Sequence, residues 1–244
     1  MANKNLLLAC LPRDVYARIE PDLKPVSLPQ SQVLHRPGEE IRDLYFPTTC
    51  MISITITMGE GQTVEAGAIG NREVVGINAF MGGCETTQTE YIVQIPGDAL
   101  RIDAAPLKEE FNRNTEMRDV MLKYTQAMIA QISQNVGCNR IHALDERCAR
   151  WLLEVRECVE SDEFPLTHEF ISEMLGVRRA GVTEAALGLK ERGLINYSRG
   201  HIQIIDIQGL EAASCECYQV LKDEYDRLLG VRLLDGQAEP GTAG

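Results

Sequence analysis

Between Ala105 and Val136 the chain has no glycine, and its only proline, Pro106, falls where a first helical turn tolerates one. Apolar residues recur at Leu107, Phe111, Met117, Met121, Tyr124, Met128, Ile132 and Val136, and from Met117 onward the steps are 4, 3, 4, 4 and 4. That is helix period. A helix of roughly 30 residues is about 45 Å long, more than a small barrel can cover. It either packs along its own barrel or meets a second copy of itself. Its length favours the second, with Met117, Met121, Tyr124, Met128 and Ile132 expected at a dimer interface.

The texture differs on either side. From Val26 to about Ile102 short β-branched segments alternate with turns, as in Met51-Ile-Ser-Ile-Thr-Ile-Thr-Met58 and Glu90-Tyr-Ile-Val-Gln-Ile95. Eight of the twenty glycines lie between Gly59 and Gly97. This pattern predicts a sandwich or small barrel, preceded by a short helix from Arg13 to Glu20. Beyond Asn139, Asp145 to Val159 reads as an amphipathic helix, ended by Ser161-Asp-Glu-Phe-Pro165. Two shorter helices and a hairpin follow, and Leu210 to Leu229 reads as one more helix. The expected division is an α+β chain: a β-barrel over 1–104, a long helix over 105–138, a helical domain over 139–230 and a flexible tail over 231–244.

Composition narrows the function classes. No apolar run approaches the roughly 18 residues of a membrane span, and no signal peptide is evident, so a cytoplasmic protein is expected. Eight irregularly spaced cysteines without a CxxC are read as free thiols. The net charge of −12 argues against coating nucleic acid by bulk charge.

Residues 168–191 carry the strongest functional signal. They predict an eight-residue helix capped by Thr167, a turn at Gly176 in the left-handed conformation, and a second helix crossing the first. Ser172 is small, as a close crossing requires, and Ile171, Leu175, Val177, Val182, Ala185 and Leu189 supply apolar contacts. From Gly176 to His201 five basic residues stand against two acidic ones, in a chain otherwise strongly acidic. Such local concentration is an electrostatic footprint for DNA. Leu194-Ile-Asn-Tyr-Ser198 and His201-Ile-Gln-Ile-Ile205 flank Arg199-Gly200 as a hairpin wing. Arg179 is placed to read guanine in the major groove. Arg178, Arg199 and the helix start near Thr167 are placed to hold phosphates. With His168, Ala180, Thr183, Glu184, Lys190 and His201 these complete the candidate DNA-binding set.

Order and content resemble the Crp/Fnr transcription regulators. The resemblance spans about Val26 to Gly209. It rests on His142-Ala-Leu-Asp-Glu-Arg-Cys-Ala-Arg-Trp-Leu-Leu153 and Leu175-Gly-Val-Arg-Arg-Ala-Gly-Val-Thr183. Weaker marks are Arg36-Pro-Gly-Glu39, Leu44-Tyr-Phe-Pro47 and Gly70-Asn-Arg-Glu-Val-Val-Gly76. It implies a cyclic-nucleotide-binding-like jelly-roll barrel, a long dimerisation helix and a C-terminal winged helix-turn-helix. The implied partners are two-fold double-stranded DNA, a second copy of the chain, and RNA polymerase.

Departures from the family bear on the effector. The family's cyclic-nucleotide binders use a glycine-glutamate pair and a phosphate-neutralising arginine. Here Arg72 precedes Glu73, and no lysine or arginine follows until Arg101. The candidate effector pocket, Glu73, Val75, Gly76, Thr87 and Thr89, therefore offers an anion no counterion, and cyclic AMP is not expected there. A cyclic-nucleotide regulator with an altered phosphate site is the alternative. A barrel enzyme with an accessory DNA-binding-like domain is a more distant one, since no catalytic residue set emerges. Only Cys10 lies in the first 49 residues, which excludes the family's N-terminal iron–sulfur sensor. His35 alone cannot build a metal centre in the barrel. On one helix Cys215 and Cys217 would point about 200° apart. No metal and no cofactor are therefore expected, and the effector is left unknown. His142 is read as an interdomain contact.

Overall fold

The computed structural model describes residues 5–82, 86–198 and 200–230. Two antiparallel sheets form the N-terminal barrel. One orders β1 (Lys24–Leu28), β7 (Gly97–Asp103) and β3 (Asp43–Pro47); the other orders β2 (Val33–His35), β6 (Glu90–Ile95), β4 (Met51–Thr57) and β5 (Thr63–Ile69). Helices α1 (Leu6–Ala9) and α2 (Arg13–Ile19) precede them. Alternation along β4 sends Ile52 and Ile54 into the barrel core with Leu28, Val75, Tyr91 and Val93. The opposite face of β4 is also buried, because Met51 and Ser53 lie beneath the C-terminal domain.

The expected long helix is two. Asn114 is extended, and its side chain accepts from the Met117 N–H at 2.8 Å, capping a new helix. So α3 (Ala104–Arg113) ends there and α4 (Thr115–Ile141) runs on for 27 residues, about 40 Å.

The face of α4 expected at a dimer interface is turned inward. Met117, Met121 and Tyr124 are fully buried among Leu7, Leu8, Ile19 and Phe46 of their own protomer. The Tyr124 hydroxyl donates to the Val74 carbonyl at 2.9 Å. Met128 and Ile132 are half-buried. Packing holds the helix close: Asn135 donates to the Ala66 carbonyl at 3.0 Å, and a Cβ at Gly67 would sit 2.8 Å from Gln131. Helix period revealed the stripe but not what covers it. Another line on the same helix, which takes in the last residue of that pattern, is exposed: Leu122 at 52%, Ile129 at 59% and Val136 at 68%.

After α4 come α5 (Leu144–Val159), β8 (Glu163–Pro165), α6 (His168–Leu175), α7 (Arg179–Glu191), β9 (Ile195–Ser198), β10 (His201–Ile204), α8 (Ile207–Ala213) and α9 (Cys217–Leu229). The hairpin gains a third strand, with β8 pairing β10. The single helix expected over 210–229 is broken at Ser214–Glu216, and α9 turns back along α4. The tail expected over 231–244 lies outside the described residues.

Candidate nucleic-acid interface

Helix α6 starts at Thr167, whose hydroxyl accepts from the Phe170 N–H at 3.3 Å. It ends at Gly176, left-handed at φ +63°, where the Val177 N–H closes on the Ser172 carbonyl at 3.0 Å. A side chain at Gly176 would be strained by that φ, and its Cβ would stand 3.0 Å from Val64 of the barrel. Ile171, Leu175, Val182, Ala185 and Leu189 bury the inner faces of α6 and α7.

The outer face of α7 carries the candidate contacts. Arg178, Arg179, Ala180, Glu184 and Lys190 are exposed, as is Leu187. Arg179 is 68% exposed and pairs loosely with Glu169 at 3.6 Å. An exposed pair like this gives way readily to a phosphate or base edge. His168 and Thr183 lie closer to the core. The His168 ring stacks on Tyr197 with centroids 4.2 Å apart, and its Nδ1 is 3.1 Å from the Thr183 hydroxyl. Burial, then the nearby Arg179 charge, pushes the His168 pKa down. This histidine braces α6 against the wing. Lys190 Nζ donates to the Tyr197 carbonyl at 3.4 Å. His201 is exposed on β10, Gly200 makes the wing turn at φ +79°, and Arg199 lies outside the described residues.

The effector-pocket residues divide. Thr87 and Thr89 hydroxyls lie 2.8 Å apart beside Tyr91, and Val75 and Gly76 sit in the adjoining barrel wall. Glu73 faces elsewhere: it accepts from the Gly70 N–H at 2.5 Å and from the Tyr225 hydroxyl of α9. The sequence placed Glu73 near a ligand, but its partner stands 152 residues downstream.

The interdomain contact went unseen in the sequence. The Trp151 indole N–H donates to Glu65 of β5 at 3.0 Å, and the Ser53 hydroxyl donates to the other carboxylate oxygen. Burial pushes the Glu65 pKa up to about 7, although both hydrogen bonds pull it down. The folded state thus holds a proton that the unfolded chain releases from about pH 4.5. Stability should fall as pH rises from 4.5 to about 7 and level off above. Glu65→Gln keeps an acceptor for Trp151 and loses the titration. Its stability advantage over the native chain should widen by roughly 2–3 kcal/mol between pH 5 and 8. Urea unfolding followed by the fluorescence of Trp151, the sole tryptophan, reads this; parallel pH profiles would contradict it.

The family model of the Crp-like helix-turn-helix domain matches residues 146–213, which contain all of α6, α7 and the wing. Over this stretch the chain is similar to Crp-like helix-turn-helix domains. Solved structures extend the likeness to the barrel. A putative Crp/Fnr-family regulator from Eubacterium rectale superposes with a TM-score of 0.65 at 18% identity, covering 89% of this chain and 99% of that one. FixK2 of Bradyrhizobium japonicum gives 0.67 at 14%, covering 79% and 98%. The c-di-GMP-responsive regulator CLP of Xanthomonas campestris gives 0.61 at 14%, covering 79% and 99%. At these identities the likeness establishes the fold alone: a two-sheet barrel, a long helix and a helix-turn-helix domain arranged as in those structures. No curated protein matches the chain. Among the described residues no helix is long and apolar enough to cross a membrane.

Proposed function

We propose that the chain is a sequence-specific, DNA-binding transcription regulator that acts as a cytoplasmic homodimer on two-fold sites and engages RNA polymerase. One observation carries the reading. Arg179, the first residue of α7, stands exposed in a Crp-type helix-turn-helix domain, where a guanidinium can enter the major groove. The exposed stripe Leu122, Ile129 and Val136, spaced by sevens on α4, supports pairing with a second copy. The barrel is a sensor, not an enzyme, and its effector is not cyclic AMP. Two features support that: Glu73 is committed to Tyr225, and no cation lies between residues 73 and 100.

Sites selected from a random duplex library supply the operator. Arg179→Ala should then cost about 1–3 kcal/mol per half-site and relax base preference at one position. Affinities across an operator panel at two salt concentrations test this. Equal weakening of every sequence would make Arg179 a phosphate clamp, and failure to enrich any duplex would overturn the function.

A further inference from the structure

The fold brings together two pairs of side chains that the sequence keeps far apart. Cys138 and His142 come from the end of α4, Cys215 from the turn before α9, and Cys217 from its first position. Their three sulfurs and one imidazole nitrogen all lie within 4.8 Å of one another. Cys138 Sγ and Cys215 Sγ are 3.6 Å apart, and Cys217 Sγ is 3.5 Å from His142 Nδ1. A tetrahedron with zinc–sulfur bonds of about 2.3 Å has edges of about 3.8 Å, so the two measured edges match a metal cage. A disulfide needs sulfurs about 2.05 Å apart. The objection raised from the sequence fails, because Cys215 precedes α9 and does not share its helical wheel with Cys217.

The surroundings are those of a metal centre. His142 turns Nδ1 toward Cys217 and Nε2 toward the Glu216 carboxylate at 3.1 Å, as ligating imidazoles are held by an outer carboxylate. Gln134 Nε2 donates to Cys217 Sγ at 3.1 Å. Three thiolates around a divalent ion leave one negative charge. Arg147 and Arg150 lie within electrostatic reach of Cys138 and Cys215. Both are buried, and each has an Nε without a hydrogen-bond partner among the described residues.

We propose that Cys138, His142, Cys215 and Cys217 form a tetrahedral zinc site that pins α9 to the joint between the long helix and the helix-turn-helix domain. His142 caps the end of α4 and Ala143 caps the start of α5, so the ion would fix the angle at which the domain leaves the helix. Binding releases the three thiol protons to solvent, with no change of oxidation state.

The test uses the untagged full chain, purified under reducing conditions. Elemental analysis should find one zinc per chain. Cobalt(II) replacing it should give intense tetrahedral visible bands and a thiolate charge-transfer band. Cys138→Ser and Cys217→Ser should lose both signals. Glu216→Gln, which keeps every ligand, should retain the spectrum while weakening cobalt affinity 10- to 100-fold. Four results would overturn the site: no bound metal and no cobalt spectrum; zinc held equally by Cys138→Ser, meaning an adventitious ion only; a Cys138–Cys215 disulfide in the native protein; or iron with inorganic sulfide in place of zinc.

Discussion

Leu122→Glu combined with Ile129→Glu should give a folded monomer whose affinity for a two-fold operator is about 100- to 10,000-fold below that of the native chain. Both residues are more than half exposed on α4, one heptad apart, with Val136 one heptad further on. In a two-fold pair each substitution acts twice, removing apolar burial worth about 1.5–3 kcal/mol per side chain and placing glutamates face to face. Neither side chain takes part in the protomer's buried core, so the barrel and α7 should persist. Met121→Glu is the contrasting change. It drives a carboxylate into a site 1% exposed, beside Tyr124 and Met117, and should leave little soluble protein. Sedimentation gives the mass, and anisotropy on full and half operators gives the affinity loss. A double variant that still sediments as a dimer, or a native chain monomeric at micromolar concentration, would refute the pairing.

The contrast between those residues shows what the sequence could and could not convey. The helix-turn-helix was legible because its determinants are local. Thr167 caps four residues from Ile171, Gly176 alone suits the φ of its turn, and the inner faces of α6 and α7 follow helix period. On α4 two apolar stripes share one helix, and periodicity does not say which the barrel covers. Of the pattern, Met117, Met121 and Tyr124 proved to be core, while its last member, Val136, stayed outside with Leu122 and Ile129. The features missed altogether join distant segments. Glu65 meets Trp151 across 86 positions, Glu73 meets Tyr225 across 152, and Cys138 meets Cys215 across 77. Alone, Glu65 reads as an ordinary surface acid, and Cys138 and Cys215 as stray thiols. The last two of these pairings depend on α9 doubling back, which follows from the break at Ser214–Glu216 that helix period had smoothed over.

Where α9 doubles back it meets a buried cation, Arg72, and that contact sets the other large effect. Arg72→Ala should destabilise the protein by about 3–5 kcal/mol. Its guanidinium stacks over the Tyr225 ring at 4.2 Å and faces the Glu157 carboxylate at 3.6 Å, both partners of the ion pair being over 90% buried. Glu73, committed to Tyr225, is buried beside it. Burial pushes the carboxyls of Glu73 and Glu157 up, and Arg72 is the first charge to pull each back down. Without it, the buried carboxyls of Glu73 and Glu157 lose the largest positive charge acting on each, with the Lys222 cation still favouring the charged form of Glu157, and protonation becomes their route to neutrality. The variant's folded state then holds protons that its unfolded state releases above about pH 4.5. Its deficit should accordingly widen as pH rises from 5 to 8. Arg72→Ala with Glu157→Gln removes one of the stranded charges and should recover part of the loss, most clearly at pH 8. Urea unfolding of the four proteins in that cycle, at both pH values, measures the coupling directly. A deficit under about 1 kcal/mol at pH 8, or one that the second substitution deepens, would mean that tyrosine packing alone, not this cation, holds α9 to the barrel.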